Sequence, residues 1–317
     1  MKKIQLAATS LQVPAMALGI MRMNTLEPQA AAKVLTTAVE HGITYIDSAD
    51  IYGQGKSEEV FRQAMKLAGI KRDQLFIQSK VGIVVSPERS HGNYVFGQRY
   101  DFSKKHLLAA VDGILQRLGV DYLDSLLLHR PDPLMEPAEV AATFDELQRA
   151  GKVRHFGVSN FGSRQIDFLQ HNLSQRLLID QLQFGIMHTG MVDSGMHVNM
   201  QDPRSIDHDG GLLEYARLKK ITIQAWSPFQ YGMFAGTFID NPKFEKLNQV
   251  LAFQAKKYHV SKNAIAAAWI LRHPAKIQVI LGTMNPKHLA DSAAGADIEL
   301  SRQDWYDIYF AAGNDLP

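Results

Sequence analysis

Short runs of apolar, β-favouring residues recur along this chain and alternate with stretches whose apolar positions return every three or four residues. The runs fall at residues 15–18, 43–46, 75–77, 125–128, 154–158, 178–182, 222–225 and 277–281. The clearest helical stretch between them puts Leu107, Leu108, Val111, Ile114, Leu115 and Leu118 on one face. Strand then helix, repeated eight times, predicts a parallel α/β sheet, and its closed form is a single (β/α)8 TIM barrel over residues 1–317. A short helix is predicted near Pro286, and residues 301–310 read as one more helix after the barrel closes. Three longer irregular segments, 86–102, 185–211 and 227–240, each follow a strand. In a barrel they crowd the C-terminal face, where active sites are built.

Composition narrows the partners. At 317 residues the chain is long for one domain but within reach of a single barrel with extra loops. Its 34 basic and 32 acidic residues are dispersed, giving a net charge of +2 and no block suited to nucleic-acid phosphates. The start, Met1-Lys2-Lys3-Ile4-Gln5-Leu6, has no apolar run of the secretory kind. The longest apolar runs, such as 264–271, fall short of the roughly 20 residues that span a membrane. The expectation is a cytoplasmic protein that binds neither nucleic acid nor membrane. With no cysteine, disulfides, thiolate metal ligands and cysteine nucleophiles are excluded. His188, His197 and His208 match no compact metal spacing, so no metal is expected. Gly55-Lys56-Ser57 lacks the glycine five places earlier that a phosphate loop needs, since Asp50 stands there.

The candidate chemistry lies just past consecutive strand-like runs. Asp47 and Tyr52 follow the second, Lys80 the third and His129 the fourth, so all four converge on one barrel face. Taken singly, each has an ordinary reading as a cap, a solvated strand end or a packed loop aromatic. Jointly they offer a phenol to give a proton, an ammonium to make the phenol more acidic, a carboxylate to hold the ammonium and an imidazole to orient a carbonyl. An unperturbed tyrosine titrates near ~10, and a neighbouring lysine is expected to lower that value. The set points to carbonyl reduction.

Five motifs in order carry a family resemblance: residues 42–53 around Asp47 and Tyr52, Ser79-Lys80, residues 124–131 around His129, residues 157–161, and Ala225-Trp226-Ser227-Pro228. On these the chain resembles the aldo-keto reductases, from Ala15 to about Ala294. The resemblance implies that Asp47, Tyr52, Lys80 and His129 are the catalytic set with Tyr52 as general acid, and that His129, rather than a glutamate, directs the site to C=O over C=C bonds. It implies a nicotinamide cofactor, NADPH in preference to NADH, and a small aldehyde, ketone or dicarbonyl as substrate. Ser159, Asn160 and Gln181 are then expected at the carboxamide and Trp226 against the nicotinamide ring. Ser227, Phe229, Gly232 and Phe234 are expected along the pyrophosphate, with Gly19, Ile20 and Met21 opposite.

At the adenosine end, Gly282 and Thr283 stand where relatives carry a Lys-Ser pair, and the arginine that follows is also missing. Asn285, Lys287 and Ser292 are expected to contribute there instead, together with the helix beginning near Pro286. Two alternatives stay open: a cofactor-binding regulatory protein with slow turnover, and an enzyme that oxidises alcohols with NAD.

Overall fold

The computed structural model of the chain describes residues 1–90, 96–232 and 235–317. Eight parallel strands close on themselves: β1 (Met16–Gly19), β2 (Tyr45–Asp47), β3 (Phe76–Val81), β4 (Leu123–Leu128), β5 (Val153–Ser159), β6 (Leu177–Gln183), β7 (Thr222–Trp226) and β8 (Gln278–Leu281). Their order around the barrel is their order in sequence. The last pairs with the first, Val279 opposite Met16 and Leu281 opposite Leu18. This is the (β/α)8 barrel that the alternating pattern predicts.

Helices cover the outside because each buries one apolar stripe. In Lys104–Leu118 the buried positions are Leu107, Val111, Ile114 and Leu118, while Leu108 and Leu115 pack partly buried at the edge. Ser103 caps its start by accepting from the His106 N–H at 3.3 Å, and Gly119 ends it in the left-handed conformation. The predicted final helix runs Arg302–Ala311 and stacks Trp305 on Trp269, with centroids 4.7 Å apart. Each indole N–H of that pair donates to the other residue's carbonyl, at 3.0 and 3.1 Å.

Two β-ribbons lie outside the predicted pattern. Lys3–Gln5 and Gln12–Pro14 form an antiparallel hairpin whose Ile4, Leu6 and Val13 pack on Ala17, Tyr45, Leu127 and Ile179 of the barrel strands. Its strands, three residues each, are too short to display a period. Ile83–Val85 pairs with Gly97–Tyr100, so the segment expected to be irregular from residue 86 carries one arm of a ribbon. Lys80, expected beyond its strand, lies inside β3. Among the described residues no helix is long and apolar enough to cross a membrane, and no cluster of His, Asp and Glu could hold a metal ion.

The barrel interior is unusually polar where aliphatic layers are the norm. Gln278 donates to the Pro14 carbonyl at 2.7 Å, Gln224 to Gln278 Oε1 at 2.8 Å, and Gln78 to Gln224 Oε1 at 2.8 Å. Tyr45 and Ser125 also give their hydroxyls to Gln78 Oε1. A ladder of satisfied amides therefore runs from the N-terminal hairpin up to Gln78, whose Nε2 also reaches Asp47 Oδ1 at 2.7 Å.

Candidate active site

Asp47 is the last residue of β2 and pairs in register with Gln78 of β3. Side chains on a strand alternate, so Lys80, two residues past Gln78, projects to the same interior side. Its ammonium sits 2.7 and 2.8 Å from the two Asp47 carboxylate oxygens and 2.7 Å from the Ser48 carbonyl. Asp47 Oδ1 also accepts from Gln78 and, at 2.9 Å, from Gln181. Both charges are buried, at 1% and 2% exposure, and each is fully bonded, the condition on which a buried ion pair is tolerated.

After β2 the chain passes through Ala49 and Asp50 into a tight turn, Tyr52–Gly55. Gly55, at φ 90°, ends it in a conformation closed to most residues, and a Cβ there would lie 2.7 Å from the Arg117 side chain. The turn leaves the Tyr52 ring with its centroid 5.1 Å from the Lys80 ammonium. His129, just past β4, meets that ring edge-on at 6.1 Å.

Burial dominates the proton affinities. It pushes Tyr52 above its ordinary value; Lys80 pulls the other way, but burial, with Asp47 and Asp50 behind it, wins. The expectation of a phenol made more acidic is thus corrected: Lys80 moderates the rise without reversing it. Lys80 itself is pressed toward neutrality by burial, yet Asp47 and Tyr52 together hold it above the usual lysine value. Burial, then Lys80 and Arg130, keep His129 well below the usual histidine value, so the imidazole is neutral. Its Nδ1 is buried without a hydrogen-bond partner among the described residues.

Behind Lys80 lies a second acidic group. Glu58 accepts from Ser48 and Ser79 and from Arg117 Nε at 2.7 Å. Burial raises Glu58 to about 7 and, with the Glu58 charge added, raises Asp50 to about 8. Asp50 Oδ1 is buried and has no hydrogen-bond partner among the described residues.

A cleft of about 960 Å³ runs from Ile51, Tyr52 and His129 past Trp226 to the stretch Gly282–Asn285. Its floor is a chain of bonds: Ser159 donates to the Gln181 carbonyl at 2.9 Å, Asn160 to Ser159 Oγ at 2.9 Å and to the His129 carbonyl at 3.4 Å, and Trp226 to Asn160 Oδ1 at 3.1 Å.

The sequence-predicted residues distribute unevenly about this cleft. Asp47, Tyr52 and His129 line it, with Lys80 buried behind Asp47. Gly19, Met21, Ser159, Asn160, Gln181, Trp226, Ser227 and Phe229 line it as well, as do Gly282, Thr283 and Asn285 at the far end. Ile20 turns into the core, and Gly232 lies outside the lining. Lys287 is exposed beyond it, and Ser292 is wholly buried with its hydroxyl given to the His288 carbonyl. Phe234 lies outside the described residues. Helix Pro286–Ala293 is capped by its own Asn285, which accepts from the Lys287 N–H at 2.9 Å, so that donor is already taken.

Two cleft arginines escaped the sequence reading. Arg22 follows Met21, and its Nη1 lies 3.4 Å from the Gly282 carbonyl; a Cβ on Gly282 would stand 3.1 Å from that same nitrogen. Arg130 follows His129 and lines the cleft as well. The available signal was position, since each stands one residue beyond a site residue already recognised.

These residues fit a dinucleotide. The cleft falls in the ~300–1,000 Å³ range of ligand sites. Gln181 Oε1 has no partner among the described residues and can accept from a carboxamide, Trp226 offers a ring face, and Arg22 offers a cation where phosphate would pass.

The model of the Aldo/keto reductase family matches residues 15–309. YcsN, an uncharacterized oxidoreductase of Bacillus subtilis, is 34% identical over 100% of both chains. The 6-dehydroglucose reductase of Agrobacterium fabrum is 32% identical over 91% of this chain and 89% of its own. Among solved structures, the thermostable aldo-keto reductase Tm1743, crystallised with the inhibitor epalrestat, aligns with a TM-score of 0.76 at 26% identity, covering 98% of this chain and 100% of that one.

Proposed function

The chain belongs to the aldo/keto reductase family of carbonyl-reducing, NAD(P)H-using oxidoreductases, and on that premise we propose that it reduces small aldehydes, ketones or dicarbonyls to alcohols in the cytoplasm, with Tyr52 as general acid and NADPH as preferred reductant. The observation that carries this reading is the buried Lys80–Asp47 pair beside the Tyr52 ring, facing a neutral His129 across a cleft open to substrate.

The substrate oxygen lies between Tyr52 and His129. Asn160 and Gln181 would hold a nicotinamide against Trp226, and that group would supply hydride to the carbonyl carbon when bound. Because burial raises the Tyr52 pKa, the phenol holds its proton at neutral pH and has it to give. As negative charge gathers on the substrate oxygen, that proton crosses, and the phenolate left behind is stabilised by the Lys80 ammonium. Asp47 keeps the ammonium charged and fixed. His129, neutral in its buried setting, donates a hydrogen bond from Nε2 that orients the carbonyl without competing as the acid. In the reverse direction the Tyr52 phenolate is the base.

For the phosphates, Arg22 takes the part first given to Lys287. Gly282 leaves room for its guanidinium, and Thr283 and Asn285 lie beside it in the cleft. The reading is tested by incubating the protein with NADPH deuterated at the transferred position and a panel of aldehydes, ketones and dicarbonyls. Deuterium is expected at the carbinol carbon of the product by NMR. Cofactor that binds but transfers no label to any of the panel contradicts the reading and favours the regulatory alternative.

A further inference from the structure

The charges of the cleft do not cancel. Asp47 is the one carboxylate among its lining residues and is neutralised by Lys80. Arg22 and Arg130 also line it, and neither has a carboxylate within ion-pair distance among the described residues. Residues 91–95 and 233–234, outside the described set, include no Asp or Glu. The two cations have different neighbours, Gly282 for Arg22 and His129 for Arg130. Arg22, against Gly282, belongs to the end where a dinucleotide carries its phosphates. Arg130 directly follows His129, is close enough to weigh on that imidazole, and lines the same cleft as Tyr52, Ile51, Ile83 and Phe96.

A half-buried guanidinium against apolar walls loses hydration and gains nothing without an anion. Its five N–H donors make a planar fork that matches a carboxylate or phosphate, and it stays charged at any working pH. A neutral aldehyde leaves that fork unanswered. A substrate carrying an anionic group a few bonds from its carbonyl completes it while presenting C=O to His129. Resting on the carbonyl-reductase reading of the same site, we propose that Arg130 anchors an anionic group of the substrate, so that this enzyme's preferred substrates are carboxylated or phosphorylated aldehydes and ketones. Arg130 is then the specificity-determining residue of the substrate end, distinct from Arg22 at the nucleotide end.

The test measures kcat and KM with NADPH for matched pairs: succinic semialdehyde against butanal, and glyceraldehyde phosphate against glyceraldehyde, in the native protein, Arg130→Met and Arg130→Lys. The native protein favours the anionic member in kcat/KM by about tenfold to a hundredfold, the size of one charge-assisted contact. Arg130→Met erases that preference chiefly through the KM of the anionic member, and far-UV circular dichroism together with NADPH binding confirms that the variant folds. Arg130→Lys recovers part of it. The carboxylate and phosphate pairs report separately, and a preference in either one supports the proposal. If the native protein treats both pairs alike, or if Arg130→Met lowers charged and neutral members equally, the proposal is overturned while the reductase reading stands. If neither member of either pair turns over, both fall together.

Discussion

Trp226 donates its indole N–H to the side-chain oxygen of Asn160 at 3.1 Å, across the floor of the cleft. Asn160 in turn reaches Ser159 and the His129 carbonyl, so one side chain ties the ends of β4, β5 and β7 together. It does so from a left-handed backbone, φ 60°, a conformation that asparagine tolerates better than most residues. The face on which a nicotinamide would stack is thereby fixed before any ligand arrives.

Trp226 is half-buried in the cleft, whereas Trp269 and Trp305 stack on each other between two outer helices, Lys262–Leu271 and Arg302–Ala311. Adding NADPH is therefore expected to quench a Trp226 signal, and Trp226→Leu to abolish the quench. Trp226→Phe, which keeps a ring but drops the bond to Asn160, is expected to weaken binding less than Trp226→Leu. Titration of intrinsic fluorescence checks both; an undiminished quench in Trp226→Leu removes the stacking role.

Arg22 stands at Gly282 and Lys287 stands clear of the cleft. Arg22→Met is expected to weaken NADPH binding by about tenfold, one charge-assisted contact, and NADH binding by less. Lys287→Ala is expected to change neither by much. Calorimetric titration with both coenzymes decides, and the opposite ranking of the two variants would restore Lys287.

Asp50 has a folded pKa of about 8, far above the ordinary aspartate value, because burial and Glu58 outweigh Arg117 and Lys80. A raised folded pKa means that the unfolded chain gives up this proton first. The contribution to stability is therefore complete in acid and lost as pH rises toward 8, a window that Glu58, at about 7, shares. Asp50→Asn is expected to raise the melting temperature relative to the native protein at pH ~9 and to do so much less at pH ~5. Equal shifts at both pH values would contradict the assignment.

Gln78 gives its amide to Asp47 and Gln224 and receives Tyr45 and Ser125. Gln78→Leu leaves several buried groups unanswered and is expected to cost about 1–3 kcal/mol per orphaned group, read by urea denaturation. A loss within error would mean that the remaining glutamines re-pair.

The barrel was legible because its strands and helices announce themselves by period, and the convergence of Asp47, Tyr52, Lys80 and His129 because each stands at or near a strand end. The hairpin at Lys3–Pro14 was not, its strands being too brief to show alternation. Nor was the glutamine ladder, since glutamine in a strand says nothing about its partners until register brings Gln78, Gln224 and Gln278 across the barrel. The direction of the Tyr52 shift depended on burial, which spacing does not reveal, so the lysine effect was read without the larger opposing one. Arg22 illustrates the same limit, since it follows one strand and Gly282 another, and only closure of β8 on β1 brings them together.

The central claim is that Tyr52 delivers the proton. The most direct measurement compares native protein and Tyr52→Phe in steady-state reduction of an accepted aldehyde, with the NADPH dissociation constant measured alongside. Turnover is expected to fall by about a thousandfold, within the range for a lost general acid, with cofactor affinity nearly unchanged. A Tyr52→Phe variant that binds NADPH normally and still reduces the aldehyde at the native rate would contradict the account.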